Sequence, residues 1–232
     1  GVAVDSADNV YVVEQTYKLR KNTPAGVVST LAGKARSIGT GDGTGNLARF
    51  HFPKDVAVDS AGNVYVLEED AIRRITSEGV VSTPVLLVSS IGSWDGTGSA
   101  ARFFWPYAVA VDSVGNVYVA STLNNAIRKI TPGGVVSTLA GLAGNRGSAD
   151  GSGSTARFSL PRGMAVDSGG NIYVADTGNQ TIRKITPGGG VSTVGGLTQL
   201  GVIFGGPMVA LGSPADGTGS AARFFTPIGV AV

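Results

Sequence analysis

One hairpin phrase recurs at a nearly constant interval, and it constrains this chain more than any other feature. Its clearest copy is Val109-Ala110-Val111-Asp112-Ser113-Val114-Gly115-Asn116-Val117-Tyr118-Val119-Ala120. The same pattern spans residues 2–13, 56–67 and 164–175, and residues 229–232 repeat its opening. The hairpin aspartates Asp5, Asp59, Asp112 and Asp167 lie 54, 53 and 55 residues apart. A period of this size with strand-like content calls for similar sheets packed in series, each leaning on its neighbours.

Within the third unit the pattern predicts four short strands, over 108–111, 116–120, 126–131 and 135–139. Asp112 opens the first turn through its side chain, and Gly115 takes the left-handed position. Asp8 stands at that position in the first copy and also tolerates it. Thr131-Pro132-Gly133-Gly134 suits a second tight turn, because proline fixes φ and glycine permits a positive value. Four antiparallel strands joined by hairpins leave two apolar faces, and radial packing of such blades covers both.

A second phrase links the units: Asp42-Gly43-Thr44-Gly45, Asp95-Gly96-Thr97-Gly98, Asp150-Gly151-Ser152-Gly153 and Asp216-Gly217-Thr218-Gly219. The first three begin 17 residues before the next hairpin aspartate. One helical turn, capped by Thr or Ser, is expected after each phrase. An arginine follows each aspartate by seven residues: Arg49, Arg102, Arg157 and Arg223. A structural clamp is expected in every unit, with this arginine held by its own aspartate or by carbonyls. Calcium is the cation that Asp42, Asp95, Asp150 and Asp216 could take, but the phrase lacks the further carboxylates of a calcium loop.

Composition narrows the function. The 36 glycines sit at fixed repeat offsets, and 42% of residues are hydrophobic, which excludes a disordered chain. There is no cysteine, hence no disulfide, thiolate metal site or cysteine nucleophile. Twelve of the 18 Lys and Arg residues are locked to repeat positions, so no nucleic-acid footprint stands out. The pairs Arg20-Lys21, Arg73-Arg74, Arg128-Lys129 and Arg183-Lys184 lie on the third strands, where neighbouring side chains point to opposite faces. His51 is the single histidine, and a packed or surface role is expected for it. Gly1 already lies inside the repeat phrase, so localisation is not read from the N-terminus.

The copies disagree in two places. The loops between second and third strands vary in length and charge, and their carboxylates and amides Glu14, Glu68, Asp70, Asn124, Asp176 and Asn179 are the candidate binding residues. For Asp176 and Asn179 a local hydrogen-bonded turn competes with that role. The fourth unit also carries an insertion. The third strand's end precedes the Asp-Gly phrase by 31 residues there, against 20 elsewhere. Residues 185–215 carry no charge, yet glycines and Pro207 argue against a membrane span. Leu200, Val202, Ile203 and Phe204 within it form a candidate patch for a partner or a second copy.

The run from Pro161 to Asn179, followed by Ile182-Arg183-Lys184-Ile185, resembles an NHL repeat, and residues 189–196 match that repeat's last strand. The resemblance covers nearly the whole chain in four tandem copies. It implies a β-propeller, most often six-bladed, with protein or ligand binding as its usual work. Four copies plus a terminal strand fit a segment of a larger propeller, a four-bladed ring, or an arc closed by a second chain. Some members of this family bind RNA through a basic face, which the split basic pairs do not favour here. NHL-like amidating lyases hold zinc with several histidines, and a lone His51 does not support that activity.

The expected fold is therefore an all-β propeller domain over 1–232, with repeats at about 1–53, 54–106, 107–161 and 162–227 and a terminal strand at 228–232. The expected function is recognition of a protein, peptide or glycan through loops on one face, without a catalytic residue, metal or cofactor. A propeller enzyme of lyase or lactonase type with a carboxylate or calcium centre is the alternative, and a structural repeat of a surface protein a third. The expected setting is extracellular, periplasmic or at the cell surface, with a protein or self-association partner, no nucleic acid and no transmembrane segment.

Overall fold

The computed structural model describes residues 1–69, 71–86, 92–197 and 214–232. Four antiparallel sheets of the β-propeller type follow one another along the chain. Blade one holds β1 (Val2–Val4), β2 (Val10–Glu14), β3 (Lys18–Asn22) and β4 (Val28–Gly33). After the two-residue strand β5 (Gly43–Thr44), blade two holds β6 (Asp55–Val58), β7 (Val64–Leu67), β8 (Ala71–Ile75) and β9 (Val80–Leu86). After β10 (Gly96–Thr97), blade three holds β11 (Pro106–Val111), β12 (Val117–Ser121), β13 (Ala126–Ile130) and β14 (Val135–Gly141). After β15 (Gly151–Ser152), blade four holds β16 (Pro161–Val166), β17 (Ile172–Asp176), β18 (Thr181–Ile185) and β19 (Gly190–Gly195).

The chain divides into two compact units, residues 1–119 with 129–137 and residues 120–128 with 138–232. In the first unit two apolar clusters form the core. One joins Tyr11 and Leu19 of blade one to Val56, Val64, Val66 and Ile75 of blade two, with Phe50 between them. The other joins Leu67, Ile72 and Val85 to Val109, Val117, Val119 and Val136, with Phe103 between them. The β-branched, alternating strands thus bury both faces, as stacked blades require. In the second unit Phe158, Ile172, Val174 and Ile185 are fully buried.

Each hairpin turn is built around its aspartate. The Asp112 carboxylate accepts hydrogen bonds from the Val114 and Asn116 amides, from Asn116 Nδ2 and from the Tyr118 hydroxyl. Asp5 does the same with Ala7, Asn9 and Tyr11. Gly115 and Asp8 adopt the expected left-handed conformation, with φ of 84° and 58°.

The connectors depart from the expected form in two ways. Their Gly-Thr (or Gly-Ser) pairs join the outer edge of the following blade as a fifth strand, Gly43 opposite Val81, Gly96 opposite Val136 and Gly151 opposite Val191. The helical turns are single 3-10 turns opened by left-handed glycines Gly45, Gly98, Gly153 and Gly219. Thr44, Thr97 and Thr218 make no capping bond through their side chains. Residues 228–232 form no strand. Their backbone passes so close to β16 that a Cβ on Gly163 would collide with the Ile228 carbonyl. No helix among the described residues is long and apolar enough to cross a membrane.

The turn chemistry has a pH signature. Burial alone would raise the Asp5 and Asp112 carboxyls, but the hydrogen bonds donated to them win and hold both below their ordinary value. Burial and the bond to Asp5 push the Tyr11 hydroxyl up to about 12. Depressed carboxyls contribute stability that is complete above their ordinary value of 3.8 and lost as the pH falls through the folded values. The raised tyrosine contributes stability complete below 10 and lost as the pH rises towards 12. Thermal melts are therefore expected to weaken in acid and again in strong alkali. An acid limb unchanged in the Asp5→Asn, Asp112→Asn double variant would show that other carboxyls set it.

Candidate functional site

In blades two and four the end where the second strand turns into the third also receives the connector from the preceding blade. A buried arginine on the third strand organises this end. In blade two, Arg73 donates to the Arg49 carbonyl at 2.8 Å, the Gly41 carbonyl at 3.1 Å, Glu68 at 3.2 Å and Asp42 at 2.7 Å. Its guanidinium also lies over the Phe50 ring, 5.5 Å from the centroid. Blade four repeats the arrangement. Arg183 donates to the Arg157 and Ala149 carbonyls, to Asp176 at 3.0 Å and to Asp150 at 2.7 Å, over the Phe158 ring.

The connector aspartates and the connector arginines are held separately. Asp42 and Asp150 pair with the third-strand arginine of the next blade, not with Arg49 and Arg157 seven residues on. Those connector arginines instead hold carbonyls of their own 3-10 turn: Arg49 those of Asn46, Leu47 and Ala48, Arg102 those of Ser99 and Ala101, and Arg157 those of Ser154 and Ala156. Their curled side chains cannot also reach the aspartate. Asp95 holds the equivalent sequence position in the second connector. In the fourth, Asp216 is exposed, and Arg223 pairs with Ala215 through the backbone. The basic pairs are split between faces as expected, with Arg73 buried and Arg74 exposed.

Most of the candidate loop residues are turned inward. Glu68 and Asp176 are fully buried, and Asn124 and Asn179 nearly so. Glu68 accepts the His51 amide, and Asp176 accepts the Ser159 amide at 2.7 Å. Burial pushes the Asp176 carboxyl up to about 6, opposed by bonds from Ser159, Asn179 and Arg183. Asn179 Nδ2 donates to Asp176 and to the Gly147 carbonyl, and Asn124 Nδ2 donates to Ser121. Glu14 is partly exposed and is held by Thr16, Lys18 and Arg20; the Thr16 bond is the main cause that lowers its carboxyl. Asp70, Leu200, Val202, Ile203 and Phe204 lie outside the described residues. Among the described residues no three His, Cys, Asp or Glu side chains group as a cation site.

What these buried carboxylates position is a set of residues that the loop comparison missed. The residue before the proline that leads into each inner strand is left-handed: Phe52 with φ 45°, and Trp105, Leu160 and Thr226 with φ 49°. A side chain there is strained, and a following proline disfavours helical backbone further, at a cost of about 1–3 kcal/mol each. Glu68 fixes the amide just before Phe52, and Asp176 fixes the one just before Leu160. In the first unit the result is two aromatic rings, Phe52 and Trp105, each about half exposed. Tyr17, itself left-handed, meets Phe52 edge-on at 5.8 Å, and His51 does so at 5.0 Å. Lys54 Nζ lies 4.9 Å from the Trp105 ring centroid. The sequence signal was an aromatic before proline at equivalent positions 52 and 105.

This arrangement stands among known proteins as follows. The NHL repeat family matches residues 158–185, which carry β16 to β18 of blade four, and the hairpin phrase of that segment recurs in the other three blades. Teneurin-3 of Danio rerio is 29% identical over 213 residues, covering 80% of this chain and 8% of the teneurin. The chain thus spans less than a tenth of that relative's length. A structural genomics protein of unknown function from Bacteroides thetaiotaomicron aligns over all of this chain and 53% of its own, with TM-score 0.71 and 23% identity. An auxiliary nutrient binding protein from Bacteroides ovatus aligns over 97% of this chain and 62% of its own, with TM-score 0.58 and 18% identity.

Removing one partner of the buried pair leaves the other charge without compensation. Glu68→Ala is expected to cost about 3–5 kcal/mol. It should also speed hydrogen exchange at the His51 amide. Denaturant unfolding with amide exchange checks both; normal stability with a still-protected His51 amide would mean that Glu68 does not hold the loop.

Proposed function

We propose that the chain is a recognition scaffold whose binding surface is the aromatic face of its first unit, formed by Tyr17, Phe52, Lys54 and Trp105. One observation carries this reading: strained backbone holds two large apolar rings towards solvent, where burial would be expected to draw them inward. Strain of this kind persists only where surrounding bonds enforce it, and it concentrates at binding sites. Rigid aromatic rings give large contact area at little cost in side-chain entropy, and a cation beside one adds a polar anchor.

The ligand classes that suit such a face are glycans, whose C–H faces stack on rings, and peptides with apolar or acidic side chains. The similar fold of a nutrient binding protein supports the same direction by analogy. A setting at the cell surface or outside the cell belongs to this reading.

Glycine accepts the left-handed conformation without strain. Phe52→Gly and Trp105→Gly should therefore keep the fold and a melting temperature near that of the parent while removing the rings. On glycan and peptide arrays the parent is expected to select a ligand class, and the double variant to lose at least tenfold in affinity for it. Selection that survives in the double variant would place binding elsewhere.

A further inference from the structure

Blade two departs from the other blades at two neighbouring positions. The second residue of each third-strand basic pair is Lys21, Arg74, Lys129 or Lys184, so blade two carries arginine where the others carry lysine. The three lysines lie over the tyrosine of their own blade, Nζ 5.6, 5.9 and 5.7 Å from the ring centroids of Tyr11, Tyr118 and Tyr173. Arg74 donates from Nη2 to Asn63 Oδ1 at 2.9 Å and lies beside the Tyr65 hydroxyl. On the fourth strand, Pro84 stands where the other blades have Leu31, Leu139 and Val194. Leu31 reaches across to the turn of the next blade, its Cδ1 3.7 Å from the place that a Cβ on Gly79 would take, and Leu139 does the same at Gly189. Pro84 falls short: its carbonyl oxygen is the one atom within 4 Å of the corresponding place on Gly134.

The missing side chain leaves a cleft of about 280 Å³ between blade two and the turns of blade three. Ile72, Val85, Val117 and Ile130 wall it, together with Pro84 and Pro132. Asp59 and Arg74 are its charged lining residues. The Asp59 carboxylate is spent on its own turn: Oδ1 accepts the Ala61 and Asn63 amides, and Oδ2 accepts Asn63 Nδ2 and the Tyr65 hydroxyl. Arg74 is exposed, and a guanidinium has five donors, so hydrogen-bonding capacity remains on the cation. The cleft lies at the end of the blades that carries the hairpin aspartates, opposite the end that presents Phe52 and Trp105.

We propose that this cleft is a second binding site, and that it takes a carboxylate carried on a compact apolar body. Charge complementarity selects the anion: the Arg74 fork matches a carboxylate with two parallel bonds. The neighbouring Asp59 carboxylate selects a single negative charge, because a doubly charged phosphate would meet its repulsion more strongly. The apolar walls select the body of the ligand, and they strengthen the ion pair by keeping water from one side of it. The volume sits near the lower end of small-molecule pockets, about 300 Å³, which suits a ligand the size of one aromatic or branched residue. A free acid and the last residue of a peptide share this chemistry.

The test titrates the 232-residue chain with 3-phenylpropionate and with its neutral amide, followed by calorimetry and by amide resonances. The parent should bind the acid roughly tenfold more tightly than the amide, with shifts at Asn63 and Gly115. Pro84→Leu restores the residue of blades one and three. It should therefore keep or raise the melting temperature while filling the cleft and losing at least tenfold in affinity for the acid. Arg74→Gln, at an exposed position, should keep the melting temperature and bind the acid no better than the amide. A short peptide ending in phenylalanine separates the two sources: tighter binding than the free acid, lost on amidation, supports a protein C-terminus, and weaker binding supports a small molecule. The proposal is overturned by a parent that binds neither acid nor peptide saturably at millimolar concentration. Equal affinity for acid and amide, or acid binding unchanged in folded Pro84→Leu, overturns it as well.

Discussion

The blades are held in order by a guanidinium that has almost no access to water. Arg73 and Arg183 are fully buried, and each bonds two carbonyls and two carboxylates while resting on a phenylalanine ring. A buried charge needs acceptors, and arginine's planar fork can meet several at once; here the two terminal nitrogens of each guanidinium are met, while Nε has no partner among the described residues. The acceptors come from three places: the preceding connector, the loop at the end of the second strand, and the carbonyl beside the connector phenylalanine. Neither blade two nor blade four can shift against its connector without leaving a charge unpaired. That makes the pair a device for register as much as for stability.

The exposed face follows from the same pair. Once Glu68 is committed to Arg73 it also holds the His51 amide, and the next residue, Phe52, is driven into the left-handed region. Asp176 acts in the same way on Ser159 and Leu160. The frame is common to both units, but the side chain presented differs: Phe52 and Trp105 in one, Leu160 and Thr226 in the other.

Much of this was legible in the amino-acid order because the hairpin chemistry is local. Asp112 contacts residues two, four and six positions on, and the sequence displays that spacing directly. The identity of the clamp was not legible. Asp42 lies seven residues from Arg49 but pairs with Arg73, 31 residues away, and only the blade stacking brings those two together. The loop carboxylates are binding candidates by sequence because their loops vary. The ends of the second strands lie inside the blade, so Glu68 and Asp176 are buried while the aromatic residues before proline stand out. Exposure there depends on a backbone angle that no residue pattern states outright.

The most direct measurement of this account compares equivalent arginines by denaturant unfolding of Arg20→Ala, Arg73→Ala and Arg183→Ala at a concentration where the chain is monomeric. If the buried clamp sets the blades, the second and third variants lose about 3–5 kcal/mol. The first, removing a partly exposed pair, loses no more than about 1 kcal/mol. Equal losses at all three positions would contradict the account, because they would show that the arginine's worth does not depend on the connector it holds.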